Sequence, residues 1–177
     1  VFIFNHQSAT DALIISRLLR HDFTSGAKQE MKSNLLVGTA LSAVGTVFID
    51  RSNKDKAIEA MQPAVDSLKG GTSFAIAPEG RRSLGYNLGP FKKGAFHIAM
   101  QAGVPVVPIV IANSSDSMPK SGNIVRPAAI DVTVLPPVDT ADWTKETIDQ
   151  HIDDIRQMFL RTLGQTRDAD VKLRQVK

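Results

Sequence analysis

The residues best suited to chemistry stand at the start of the chain, in Asn5-His6-Gln7-Ser8-Ala9-Thr10-Asp11. An imidazole takes a proton well near neutral pH, and a carboxylate on one ring nitrogen leaves the other free as a base. A turn after a strand, followed at once by a helix, brings the Asp11 carboxylate back toward His6. That pair is suited to removing the proton from an attacking hydroxyl. The same residues carry a second reading. Ser8-x-x-Asp11 fits a capping box, with Ser8 as N-cap and Asp11 bonding back to the Ser8 N–H. Ser8 is also a candidate nucleophile with His6 as its base, although a capping hydroxyl is already engaged by the backbone.

Three further segments carry charge or rigidity at the ends of apolar runs. Ala77-Pro78-Glu79-Gly80-Arg81-Arg82-Ser83 follows a buried-type run. Gly80 permits an unusual backbone turn, the arginines offer planar forks for phosphate oxygens, and Glu79 could hold one fork in place. A solvated charged loop is the plainer reading. Gly45-Thr46-Val47-Phe48-Ile49-Asp50-Arg51 reads as a short strand ending in an arginine, or as a surface turn with an N-cap. In Val104-Pro105-Val106-Val107-Pro108-Ile109 two prolines interrupt an apolar run, which predicts an edge or irregular strand. Such a strand suits the wall of an apolar groove, and core packing explains it equally well.

The elements that must position these residues alternate between strand-like runs and helical periods, which predicts an α/β domain. Strands are predicted over 1–4, 24–27, 46–49, 73–77, 104–112 and 128–135. Ser8 should cap a helix carrying Leu13, Ile14, Leu18 and Leu19. A helix over 54–68 should kink or locally break at Pro63 and end at Gly70-Gly71. Another spans 92–102 and stops at Gly103. The clearest lies over 145–163, with Ile148, Ile152, Ile155, Phe159 and Leu163 on one face. Residues 114–123 read as a polar loop. The fold class is therefore a single α/β domain over 1–165, a mixed, mostly parallel sheet flanked by helices, with a polar tail over 166–177.

Composition narrows the functions. At 42% hydrophobic residues over 177 positions the chain can bury a full core without disulfides or a structural metal. It has no cysteine, which excludes a thiol nucleophile and a thiolate zinc site. A net charge of +3 suits an anionic ligand or lipid surface. Nucleic acid would call for clustered Lys and Arg with interleaved aromatics, and aromatics make up only 6%. No run reaches the ~18 apolar residues of a membrane span. The abrupt start at Val1-Phe2-Ile3-Phe4, with no initiator Met, reads as an excised or truncated chain and leaves room for an anchor upstream.

The order of the blocks is more specific than any one of them. Asn-His-x-Ser-x-x-Asp, Phe-Ile-Asp-Arg, Pro-Glu-Gly-x-Arg-Ser and Val-Pro-Val-Val-Pro-Ile together resemble the signature of the glycerolipid acyltransferase family. The resemblance is greatest to its bacterial 1-acyl-sn-glycerol-3-phosphate acyltransferase branch and runs from Val1 to about Gly164. Ala27-Lys28-Gln29-Glu30-Met31 and Phe91-Lys92-Lys93-Gly94-Ala95-Phe96 add secondary matches. The resemblance implies a glycerol-3-phosphate acyltransferase-like fold and transfer of a fatty acyl group to the sn-2 hydroxyl of lysophosphatidic acid. His6 would be the base and Asp11 its orienting partner, with no acyl-enzyme. Arg51, Glu79, Gly80 and Arg82 match acceptor-binding positions, Lys28 would add a phosphate contact, and Val104, Pro105 and Pro108 would shape the acyl groove. The stretch from Leu35 to Val47 could shelter an acyl chain or press into a bilayer.

The resemblance further implies an acyl-CoA or acyl carrier protein donor as co-substrate, no cofactor and no metal. It implies peripheral or anchored attachment at the cytoplasmic face of a membrane, and no nucleic-acid partner. Two positions depart from the family: Arg81 stands where Thr is usual and Ala77 where Phe is usual. Glycerol 3-phosphate or another lysophospholipid as acceptor, a Ser8/His6 hydrolase and a non-catalytic phospholipid-binding module are the alternatives.

Overall fold

The computed structural model describes residues 1–20, 23–28, 33, 46–49, 61–83, 85–122 and 124–166, with 27–28 and 47–49 as backbone only. Strands β1 (Phe2–Phe4), β2 (Phe23–Lys28), β3 (Val47–Ile49), β4 (Ser73–Ile76), β5 (Val107–Ala112) and β6 (Asp131–Val134) form one sheet in the order β3-β2-β4-β1-β5-β6. The first five are parallel, and β6 returns antiparallel to β5. The described helices are α1 (Asp11–Leu19), α2 (Gln62–Lys69), α3 (Gly94–Ala102), α4 (Ser114–Ser117) and α5 (Ile148–Thr162). The α/β class, with a mostly parallel sheet, is the one the apolar pattern predicts.

Because side chains alternate across a strand, each face of the sheet has its own core. Ile3, Phe74, Ile76 and Val110 point to the larger one, where α2, α3 and α5 supply Val65, Phe96, Ile155 and Phe159. Ala75, Ile109 and Ile111 point the other way, against Ile15 of α1. The predicted face of α5 is the one that packs, with Ile148, Ile152, Ile155 and Phe159 all buried. In α1 the outcome differs. Ile15 is buried, whereas Leu13 is 70% and Leu18 41% exposed, because a helix with apolar residues on two sides meets the sheet with only one.

The expectation of an edge strand at the prolines of 104–112 needs correction. β5 is an interior strand, although it contains Pro108. The Pro108 carbonyl accepts the Leu135 N–H at 2.9 Å, beyond the last residue of β6. The absent proline N–H faces that same side, so it removes a bond only where the β5–β6 ladder already ends. A helix starts at Gln62 with Pro63 in its first turn, where its N–H would have no helical partner, as a local break at Pro63 allows; residues 54–60 of the predicted helix lie outside the described residues. Residues 114–117, expected to be loop, form the single turn of α4.

Candidate active site

β1 and β4 are neighbours whose following crossovers run in opposite directions: through α1 to β2 on one face, and through α3 to β5 on the other. Such a reversal leaves a crevice at the carboxyl ends of the two strands. His6 emerges from the end of β1 and Glu79 from the end of β4. The crevice is where both residues meet.

The turn carrying His6 is held at each position. The buried Asn5 side chain continues the pairing of β1 with β5: its Nδ2 donates to the Ile111 carbonyl at 2.7 Å and its Oδ1 accepts the Ile111 N–H at 2.7 Å. His6 donates its backbone N–H to Glu79 Oε1 at 2.8 Å, and its carbonyl accepts the Ser83 N–H at 2.7 Å. Asp11, fully buried, turns back under the loop. Its Oδ2 lies 2.8 Å from His6 Nδ1 and accepts the N–H groups of Gln7 and Ser8, also at 2.8 Å. With Nδ1 occupied, the ring presents Nε2, to which no described residue bonds, and the His6 side chain is 26% exposed. A proton can therefore be taken from outside.

The capping expectation is half met. Asp11 bonds back to the Ser8 N–H, but α1 begins at Asp11 with Thr10 as N-cap and no side-chain cap bond. Ser8 Oγ instead accepts the Thr10 N–H at 3.2 Å and donates to the Met118 carbonyl at 2.8 Å. Ser8 is fully buried and its hydroxyl is engaged on both sides. This overturns the Ser8 nucleophile.

Glu79 also departs from expectation. It is only 4% exposed, and both oxygens point inward: Oε1 to His6 N–H, Oε2 to the Gly89 N–H at 2.8 Å and to the Ser83 hydroxyl. Burial pushes its carboxyl above the ordinary value, against the three donors and the His6 charge, which favour the ionised form. A carboxylate used up in this way does not hold an arginine fork or contact an acceptor phosphate. It ties the His6 turn to the loops after β4. Gly80 has φ +72° and donates its N–H to the Ala77 carbonyl at 3.1 Å, so its part is to close the turn.

A third wall comes from the segment after β5. Besides the Ser8–Met118 bond, Tyr86 donates to Asp116 Oδ1 at 2.5 Å, and Lys120 Nζ donates to the Arg82 carbonyl at 2.8 Å. From behind, Arg156 of α5 donates to the carbonyls of Gly89 and Leu88, each at 3.1 Å, fixing the strap that reaches Glu79.

The model of a family described as "Acyltransferase" matches residues 1–112, which hold the His6 turn, Glu79 and β5. The chain belongs to the acyltransferase family. It is 35% identical over 167 residues to a 1-acyl-sn-glycerol-3-phosphate acyltransferase of Saccharomyces cerevisiae, covering 92% of this chain and 55% of that protein. It is 32% identical over 149 residues to the enzyme of that name from Salmonella typhimurium, covering 84% and 60%. The crystal structure of the 1-acyl-sn-glycerophosphate acyltransferase of Thermotoga maritima superposes with a TM-score of 0.77 at 26% identity, over 92% of this chain and 64% of that one. This acyltransferase chain thus spans a little over half the length of the curated relatives it matches.

The remaining expected site residues of the acyltransferase separate into two groups. By register Ser25 lies level with Ala75 and Phe2, which sets Lys28 at the carboxyl edge, level with the His6 turn. The Lys28 side chain, Arg51 and most of the stretch from Leu35 to Val47 lie outside the described residues. Val104 and Pro105 are at the opposite edge. They precede β5, and the Pro105 carbonyl faces Val1 at the start of β1, about 20 Å of strand from Ile111. Val104 packs on the larger core, Pro105 is exposed, and Pro108 is buried within β5. Val104 and Pro105 therefore stand at the edge of the sheet away from His6. Sequence reasoning missed Gly89, Lys120 and Arg156. Of these, only Gly89 left a signal, a Gly-Pro pair after an apolar residue.

Proposed function

We propose that the protein transfers a fatty acyl group from acyl-CoA or acyl carrier protein to the sn-2 hydroxyl of lysophosphatidic acid, giving phosphatidic acid, with His6 as general base. The observation that carries this is the His6 Nδ1–Asp11 Oδ2 contact of 2.8 Å beneath a ring whose other nitrogen is open. The acceptor hydroxyl gives its proton to Nε2 as its oxygen attacks the thioester carbonyl. The C–S bond then breaks, and the leaving thiolate takes the proton back from the imidazolium. Asp11 fixes the tautomer and stabilises the imidazolium. The names of the relatives support the acceptor, and Arg81 and Arg82, on the loop whose Ser83 N–H meets the His6 carbonyl, supply positive charge for its phosphate. No cofactor beyond the acyl thioester enters this scheme.

The reading includes work at a membrane surface. Among the described residues no helix is long and apolar enough to cross a membrane. Leu13, Ile14 and Leu18 of α1, Ile130 before β6 and Val132 within it line an open groove of about 550 Å³ together with Arg17 and Arg20. Apolar surface flanked by cations suits the boundary of an anionic bilayer on its cytoplasmic face.

The test is acyl transfer by the purified full-length protein with lysophosphatidic acid, glycerol 3-phosphate and a lysophospholipid compared as acceptors. Lysophosphatidic acid should be the best of the three, and His6→Ala should lower kcat by about 10²–10⁴-fold. Preference for glycerol 3-phosphate would reject the acceptor but keep the chemistry. Full activity of His6→Ala would reject His6 as the base, and no acyl transfer by the wild type to any of the three would favour a binding module.

A further inference from the structure

We propose that Lys120 is an acceptor-specificity residue, an ammonium fixed beside the Arg82 loop that recognises the phosphate monoester of the acceptor; this rests on the acyltransferase reading above. Lys120 is 38 positions from Arg82, yet its Nζ donates to the Arg82 carbonyl at 2.8 Å. An ammonium has three N–H donors, so two remain for a ligand. The segment bearing it is not free to swing. Met118 is bonded to Ser8 of the His6 turn, Asp116 to Tyr86, and the Pro119 carbonyl to the Gly122 N–H at 2.9 Å. The bond places the ammonium at Arg82, one residue before Ser83, whose N–H meets the His6 carbonyl.

Charge points the same way. Among the described residues no carboxylate pairs with Arg81, Arg82 or Lys120. The two acids nearest in the network are spoken for: Glu79 faces inward, and Asp116 accepts from Tyr86. Three cations that no described carboxylate pairs, on loops bonded to the His6 turn, suit a dianion carried close to the acceptor hydroxyl. In a glycerol monophosphate the hydroxyl and the phosphate ester sit on adjacent carbons.

The experiment compares the full-length protein with Lys120→Met and Lys120→Arg, using lysophosphatidic acid and the uncharged monoacylglycerol as acceptors and one acyl-CoA as donor. Lys120→Met should raise KM for lysophosphatidic acid about tenfold, equivalent to about 1.4 kcal/mol of binding, with kcat within about twofold. The monoacylglycerol KM should stay unchanged, Lys120→Arg should restore the phosphate preference, and added salt should shrink the difference. A second readout is independent of turnover: inorganic phosphate should raise the melting temperature of the wild type and of Lys120→Arg more than that of Lys120→Met. Equal KM changes for both acceptors, or equal phosphate shifts in all three proteins, would overturn the proposal. A wild type that ignores lysophosphatidic acid but shows the Lys120-dependent phosphate shift would instead reject the acceptor and keep the site.

Discussion

Replacing Asp11 by asparagine separates the two roles that its position allows. Asp11 Oδ2 accepts from His6 Nδ1 and from the N–H groups of Gln7 and Ser8, while Oδ1 is buried with no partner among the described residues. An asparagine can place its carbonyl oxygen where Oδ2 lies and keep all three bonds. Its amide then occupies the Oδ1 place, an unsatisfied buried donor costing about 1–3 kcal/mol of stability. What is lost is the charge opposite the imidazolium. Opposite unit charges about 4 Å apart attract by about 4 kcal/mol at an effective dielectric near 20, and about 1.4 kcal/mol is tenfold in rate. Asp11→Asn should therefore lose about 10³-fold in kcat while staying folded. Asp11→Ala should be no more active and less stable, because Gln7 and Ser8 lose their acceptor too. Thiol release from acyl-CoA can be followed with a thiol-reactive dye, and the chain's lack of cysteine keeps the background low. Activity of Asp11→Asn within about tenfold of wild type, beside an inactive His6→Ala, would show that the carboxylate serves the turn and not the proton transfer.

Gly89→Ala, at a residue that does not touch His6, should lower kcat and cost about 1–3 kcal/mol of stability. The added Cβ would lie 2.7 Å from Glu79 Oε2 and displace the carboxylate that holds the His6 N–H; wild-type kinetics would refute this coupling. Glu79→Gln offers one acceptor oxygen where three donors now meet two, and should cost about 1–3 kcal/mol in urea unfolding at pH 7. Since burial raises the Glu79 pKa in the fold, the native state holds a proton that the unfolded chain has lost above the ordinary value of 4.5. The protonated form's contribution is complete below 4.5 and is lost as pH rises through the folded pKa, so unfolding free energy should fall with pH there. Glu79→Gln should flatten that slope, and an unchanged slope would refute the assignment. Ser8→Ala removes the bond to Met118 and should cost about 1 kcal/mol with activity kept within a few-fold; abolished turnover in a folded protein would revive the nucleophile.

Much of the fold was legible because it rests on local period. The α5 face, the buried runs of β4 and β5 and the stop at Gly103, with φ +66°, all follow from spacing or from one residue's backbone freedom. Pro108 misled for a physical reason. A missing N–H matters only where a partner would have stood, and the end of β6 is not visible in a run of letters. The apolar residues of α1 misled similarly. Their spacing shows that the helix has apolar sides, not how many of them the sheet covers.

The site divides along the same line. His6 and Asp11 lie within one turn, so their contact could be foreseen. The contacts that hold the turn join residues far apart: 73 positions from His6 to Glu79, 106 from Asn5 to Ile111, 110 from Ser8 to Met118. Each needs the sheet order before it can exist, since β1 must lie between β4 and β5 for its end to meet both. This also explains why Glu79 was misread. Beside two arginines in sequence, a carboxylate looks like part of a phosphate cradle. In the sheet its neighbours are instead the N–H groups of His6 and Gly89, and an acid at that junction does more by fixing the base than by facing an anion of its own sign. Asp11 shows the complementary case. One oxygen meets both the imidazole and the two N–H groups of the turn, so capping and orienting are one geometry, and only loss of charge without loss of shape can tell them apart.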